Sequence, residues 1–226
     1  MTTNMSIKKI SLITILLYVL VFLSPIVFSP FPPNILIAGT TVIYILGAAL
    51  MIWLYLKNKS SAITMVEKDT KLTSPVFMLL LGISGIFIAM IIQAIVFGIE
   101  TAITGAEPSS QNTKNIITII LANPLFILAT TIGGPIMEEF VFRRSLIGLT
   151  EPYTGFWISA IISSSLFSLI HQDGHFFVYF FMGFFFALLY KMTGKIWTSI
   201  IAHCGMNTLV VIAQLLLHFG NIELPK

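Results

Sequence analysis

Runs of roughly twenty apolar residues with hardly a charge among them recur from one end of this chain to the other, and they limit the fold more than any other feature. About twenty such residues cross a bilayer core as a helix. In lipid every backbone amide must be satisfied within the segment, so helices are the natural solution. Seven segments qualify: residues 10–28, 35–56, 75–99, 116–149, 155–171, 176–190 and 196–219. Composition agrees, at 57% hydrophobic and 9% charged against about 45–50% and 25% in soluble domains. The expected fold is all-α, a polytopic membrane helical bundle of about seven transmembrane helices, solvated by the lipid bilayer. Lys8 and Lys9 precede the first run as they would in a secretory signal. That run exceeds the roughly 7 to 15 residues of a signal core and lacks a small-x-small cleavage pattern, so it reads as a retained span. The single cysteine, Cys204, excludes an internal disulfide.

The fourth segment is too long for one simple span and contains Gly133, Gly134 and Pro135, which are expected to kink or divide it. Basic residues accumulate in cytoplasmic loops. With the N-terminus inside, the inner segments hold Lys8, Lys9, Lys57, Lys59, Lys68, Lys71, Arg143, Arg144, Lys191 and Lys195, ten of the twelve, leaving Lys114 and Lys226 outside. The chain is expected in a bacterial cell membrane with a cytoplasmic N-terminus, and nothing in it calls for a nucleic acid partner.

Ionisable residues inside a membrane cost at least about 2.5 kcal/mol each on insertion scales, so each should have a partner or a task. Three clusters stand out: Glu138, Glu139 and Arg143; His171; and His203 with Asn207. Glu139 and Arg143 are i and i+4 on one helical face and well placed to pair, while Glu138 is turned about 100 degrees away. His203 and Asn207 repeat the i, i+4 spacing, as do Phe167 and His171. A turn at residues 150–155 would fold the fourth and fifth segments into a hairpin and bring Glu138 and His171 to similar depth. Together the groups supply what hydrolysis needs: a carboxylate to take a proton from water, an imidazole to share it, and an amide and second imidazole to donate to an oxyanion. Arg144 is expected as a cytoplasmic anchor, His175, His218 and Asp173 as interfacial residues, and the Gly and Phe residues of 180–190 as helix packing.

The segments "EEFVFR" (138–143), "FSLIH" (167–171) and "HCGMN" (203–207) resemble the EExxxR, FxxxH and HxxxN motifs of the CPBP (CAAX protease and bacteriocin-processing, or Abi) intramembrane proteases, relatives of the Rce1-type prenyl-protein endopeptidase. The resemblance covers roughly 130–210, which divides the chain into residues 1–114, without a motif, and 115–226, a catalytic helical core. It implies that Glu138 and His171 activate water, that His203 and Asn207 stabilise the oxyanion, and that Glu139 and Arg143 support them. The implied substrate is a membrane-associated peptide or protein, in peptide maturation, bacteriocin immunity or CAAX-type processing. Glu138, His171 and His203 could also form a two-His, one-carboxylate zinc site. Against zinc, no carboxylate is evident to orient the imidazoles and Asn207 is a poor zinc ligand, so a metal-free mechanism without cofactor is favoured.

Other classes compete. "GISG" at 82–85 matches the serine motif of rhomboid proteases, but three helices separate Ser84 from His203 where that family has one. No HExxH zinc motif occurs. An ion-coupled transporter would also place Glu, His and Asn at the midplane but should show internal symmetry, and none is visible. A non-catalytic membrane binding protein is the remaining alternative.

Overall fold

The computed structural model describes residues 5–69, 74–105 and 110–220, and among these every regular element is helical. Lys71 and Lys226 of the charge count lie outside the described residues. In chain order the helices are α1 (Ile7–Phe28), α2 (Pro33–Asn58), the short α3 (Met65–Asp69), α4 (Pro75–Thr104), α5 (Gln111–Ala122), α6 (Phe126–His171), α7 (Phe176–Thr193) and α8 (Ile196–Phe219). All but α3 and α5 are long and apolar enough to span a membrane, which makes six. The protein is therefore a polytopic helical membrane protein. Leu16, Val27, Leu80, Ile91, Ile103 and Leu216 are among many large apolar side chains exposed on its outside, as lipid contact requires.

Local chemistry sets the boundaries. Ser6 accepts from the Lys9 amide at the start of α1, and Ser110 accepts from the Thr113 amide at the start of α5. Pro33 and Pro75 stand in the first turns of α2 and α4, where a missing N–H costs nothing. Gly105 and Gly194 end α4 and α7 in the left-handed conformation.

The helix α6 carries most of the site and is 46 residues long. It doubles back at Gly155, whose φ of +74° breaks the helical path. The Ser163 hydroxyl consequently donates to the Phe142 carbonyl, and the Phe142 and Phe167 rings meet at 5.3 Å. Six long helices thus contain seven arms, and the reversal falls where the turn at 150–155 was expected. The division expected at 133–135 is not there. The chain breaks instead at Asn123, in extended conformation before Pro124, whose ring disfavours a helical residue ahead of it. Gly133 and Gly134 stay helical, within and beside a π-helical turn (Ala129–Gly133). Gly133 serves close packing: a Cβ there would stand 3.2 Å from the Tyr44 backbone of α2. A second π-helical stretch, Glu139–Leu146, follows, and such wide turns are frequent at functional sites.

Around this arm lies the core, with Met137, Phe140, Phe142, Phe167, Tyr190 and Ile196 all buried. Arg144, expected as a cytoplasmic anchor, is buried against its neighbours. Its guanidinium pairs with Glu67 at 2.9 Å, donates to the Ala62 carbonyl and lies 4.7 Å from the Tyr55 ring centre, so it fastens α6 to the segment after α2. On the far side of the bundle α4 packs on α8 through small residues. A Cβ at Gly82 would meet Ile201 at 2.9 Å, and one at Gly85 would meet Leu189 at 2.9 Å and Ala202 at 3.1 Å.

Candidate active site

His203 sits at the centre of the polar cluster. Its Nδ1 is 2.8 Å from Glu139 Oε1, and its Nε2 is 3.7 Å from Glu138 Oε2. The two carboxylates were expected to face apart, yet they converge on the two nitrogens of one imidazole, where the helix widens into its π turn. An ionised carboxylate only accepts, so His203 Nδ1 carries a proton and the ring is held with Nε2 toward Glu138. Phe186 of α7 stacks on this imidazole, centroids 4.6 Å apart and planes at 21 degrees, and Phe167 meets it edge-on at 5.9 Å. Sequence reasoning assigned Phe186 to packing alone, and among the five phenylalanines of residues 180–190 no residue type marks it out.

The ion pair expected between Glu139 and Arg143 is present at 3.4 Å, with the side chains 0% and 1% exposed. Arg143 also donates to the Gly183 carbonyl at 3.3 Å, and its guanidinium lies 4.3 Å from the Phe167 ring centre and 5.5 Å from that of Phe186. A guanidinium between two ring faces, out of water, gains about 2 kcal/mol or more from the rings. Glu139 therefore has two duties where one was expected: it neutralises Arg143 and it orients His203. The expectation that no carboxylate is at hand to orient an imidazole is corrected by the same contact.

His171 closes the second arm of α6. Its Nδ1 is 2.8 Å from the Phe167 carbonyl, which can only accept, so Nδ1 carries the proton and Nε2 is left with a lone pair. Phe167 thus touches His171 edge-on at 4.6 Å as well as His203 and Arg143. The Asn207 carboxamide donates to the Thr130 carbonyl at 3.3 Å, which fixes its plane and leaves a second N–H for another acceptor.

Two cavities meet here. The larger, about 270 Å³, is lined by Glu138, His171 and Asn207 together with Tyr18 of α1 and Tyr44 of α2. The smaller, about 70 Å³, is lined by His171, His203 and Asn207 with Gln93 of α4. His171 and Asn207 stand on the wall common to both, Glu138 on one side and His203 on the other. The four residues singled out by their positions in the sequence are thus brought together from both arms of α6 and from α8. The larger cavity also draws on α1 and α2, helices in which sequence reasoning found no motif. Glu138 is 18% exposed at its side chain, enough to be reached from the cavity.

Other expected and rival residues fall elsewhere. The Ser84 hydroxyl donates to the Leu81 carbonyl one turn back at 3.2 Å and is exposed on the outer face of α4, away from both cavities. His175, expected as an interfacial residue, is buried within the protein: its Nδ1 is 3.4 Å from Glu100 Oε2, and its ring lies 4.6 Å from that of Phe97. Glu100, just past the predicted end of the third span, was missed for that reason. Among the described residues no three His, Cys, Asp or Glu side chains are grouped closely enough to hold a metal ion. Glu138, His171 and His203 as placed do not make a ligand set.

Residues 120–209 match the family described as type II CAAX prenyl endopeptidase Rce1-like. The membrane-embedded CAAX protease MroQ of Staphylococcus aureus (strain USA300) is 32% identical over 223 residues, covering 91% of this chain and 89% of MroQ. A protein of Bacillus subtilis (strain 168) named as a membrane peptidase, YdiL, is 44% identical over 138 residues. That match spans 61% of this chain and 57% of YdiL. No solved structure matches the chain.

Proposed function

The chain belongs to the Rce1-like family of membrane CAAX proteases, and from that premise we propose that it is an endopeptidase that hydrolyses a peptide bond in a membrane-associated peptide or protein, with Glu138 as general base. The observation that carries this reading is the convergence of Glu138, His171, His203 and Asn207 on two adjoining cavities. Water held between Glu138 and the His171 Nε2 lone pair loses a proton to Glu138 as its oxygen attacks the scissile carbonyl carbon. Negative charge develops on the carbonyl oxygen. Asn207 donates to it through its free N–H, and His203 through Nε2 in the doubly protonated form that this role requires. Collapse of the tetrahedral intermediate breaks the C–N bond, and Glu138 returns the proton to the departing amine nitrogen.

No step passes through a metal. The absence of a three-donor ligand set supports that choice, while the Nδ1 bonds of both imidazoles are of the kind that also orient metal-bound histidines. Purified enzyme is expected to keep its activity through exhaustive treatment with a strong zinc chelator. Loss on chelation with recovery on adding one equivalent of zinc, in protein that stays folded, would reassign Glu138, His171 and His203 as ligands.

The names of both relatives favour proteolysis over transport, and that of MroQ offers CAAX-type processing as the substrate class. The test compares membrane-peptide profiles from cells carrying wild type and Glu138→Gln, a nearly isosteric change that removes the base. Peptides present in one profile and missing from the other are expected. Identical profiles at equal expression would sink the proteolytic reading. The site is proposed to open toward the cytoplasmic half of the bilayer, with the N-terminus inside, on the ten-to-two distribution of basic residues. Reporter fusions after Lys57 and Lys195 should read cytoplasm, and a fusion at Gln111 should read outside.

A further inference from the structure

We propose that Tyr179, anchored by Asp173, is a positioning residue for His171, one that sets the plane and tautomer of the imidazole from outside the three motifs. His171 is the last residue of α6, and Gln172 after it turns into the left-handed conformation with φ of 49°. The next helical turn that would wall in a side chain is therefore missing. One hold on the ring comes from its own helix, through the Nδ1 bond to the Phe167 carbonyl and the Phe167 edge. The other comes from α7: the Tyr179 ring lies face to face with the imidazole, centroids 3.8 Å apart and planes at 22 degrees. With both holds in place the ring cannot rotate about its outer torsion without losing either the stack or the Nδ1 bond. With the stack removed, only the Nδ1 bond and the Phe167 edge oppose a torsion that is by itself broad and two-fold.

Tyr179 is itself fixed. Its hydroxyl donates to Asp173 Oδ2 at 2.8 Å, and the same oxygen accepts from the Ser110 hydroxyl at 2.8 Å. Asp173 Oδ1 accepts from the His175 amide at 3.3 Å. The turn that carries Asp173 is held in its turn by Glu100 of α4, which accepts from the Phe177 amide at 3.0 Å and pairs with His175. Asp173 thus joins the α6–α7 turn, the ring on α7 and the cap of α5, and α5 contributes Asn112 to both cavities. A tyrosine that merely filled space would need neither a parallel ring geometry nor a carboxylate on its hydroxyl. This pair gives the imidazole what a carboxylate gives a metal-bound histidine, orientation from the outer shell, whose loss costs about 10- to 100-fold in activity.

The role in catalysis rests on the proteolytic reading, but the hold on the imidazole does not, so the test has two readouts. The full-length protein, labelled with ¹⁵N at histidine and reconstituted in lipid nanodiscs, reports by its ring-nitrogen shifts which nitrogen of His171 carries the proton. Cleavage is followed on the peptide that separates wild type from Glu138→Gln, synthesised with a fluorophore and quencher. Wild type should show the Nδ1–H form. Tyr179→Leu should show a mixture of tautomers, with kcat lowered about 10- to 100-fold and KM within about twofold. Tyr179→Phe keeps the ring and loses the anchor, so it should fall between the two on both readouts. If both variants match wild type in spectrum and kcat, the proposal is overturned. Should Tyr179→Leu not fold, Tyr179→Phe decides alone, since a wild-type spectrum and rate there leave Asp173 no positioning role. Wild-type protein that cleaves nothing overturns the proteolytic reading and Tyr179's part in the rate, while the spectra still decide its hold on His171.

Discussion

Purified Glu138→Gln is expected to cleave about 10²- to 10⁴-fold more slowly than wild type, His203→Ala to lose a comparable factor, and the double variant to be scarcely slower than either one. The factors are those of a positioned general base at Glu138 and of an oxyanion donor at His203, and the shared loss follows from geometry. Glu138 Oε2 and His203 Nε2 are 3.7 Å apart, close enough for the same reacting carbonyl to require both, and groups that act on one transition state are strongly non-additive. Asn207→Ala should lose about 10² to 10³, because it removes the other oxyanion donor. Each loss should appear in kcat, with KM little changed, since none of the three side chains has a stronger interaction in the ground state than in the transition state. Rate losses that simply multiply in the double variant, or that appear in KM alone, would mean that the two residues bind substrate separately and would remove the shared site.

Much of this site can be read along the sequence because the membrane penalises polar side chains. Glu138, Glu139, Arg143, His171, His203 and Asn207 stand out from the apolar runs, and the hairpin that joins two of the three clusters shows itself in the turn residues around Gly155. What the sequence hides is whatever depends on how one helix meets another. Gly133 and Gly134 have the composition of a kink, yet both stay helical and Gly133 serves the close approach of α2, whereas Asn123 and Pro124 make the break. Phe186 is one phenylalanine among many until α7 is seen to lie over His203. Arg144 has the look of an interfacial anchor because its partner Glu67 is 77 residues away. The separation of Glu138 from Glu139 by about 100 degrees holds for a regular helix. It misleads where the turn widens and a third side chain inserts between the two. Ser84 is the converse case, a motif legible in the letters whose hydroxyl faces outward.

Whether Glu139 only pairs with Arg143 or also orients His203 is decided by a double-variant cycle at Glu139 and Arg143. Arg143→Leu leaves the Glu139 carboxylate fully buried without its counter-ion and should destabilise the protein by about 3–5 kcal/mol, measured by thermal or denaturant unfolding in detergent. Glu139→Leu should do the same in the opposite sense, stranding the guanidinium among Phe142, Phe167 and Phe186, where its Nε and Nη1 already lack hydrogen bonds. Replacing both by leucine removes the stranded charge, and buried pairs exchanged for apolar residues of similar volume are often neutral or stabilising. The double variant should therefore regain most of the lost stability. It should not regain activity, because His203 has then lost the carboxylate at 2.8 Å that holds its Nδ1–H and aims Nε2 at Glu138. A comparable loss of the carboxylate behind a catalytic histidine costs about 10⁴ in kcat in serine proteases. A double variant that is stable and active would make Glu139 and Arg143 an ion pair and nothing more. A stable, inactive one would place Glu139 behind His203 as the group that sets its orientation.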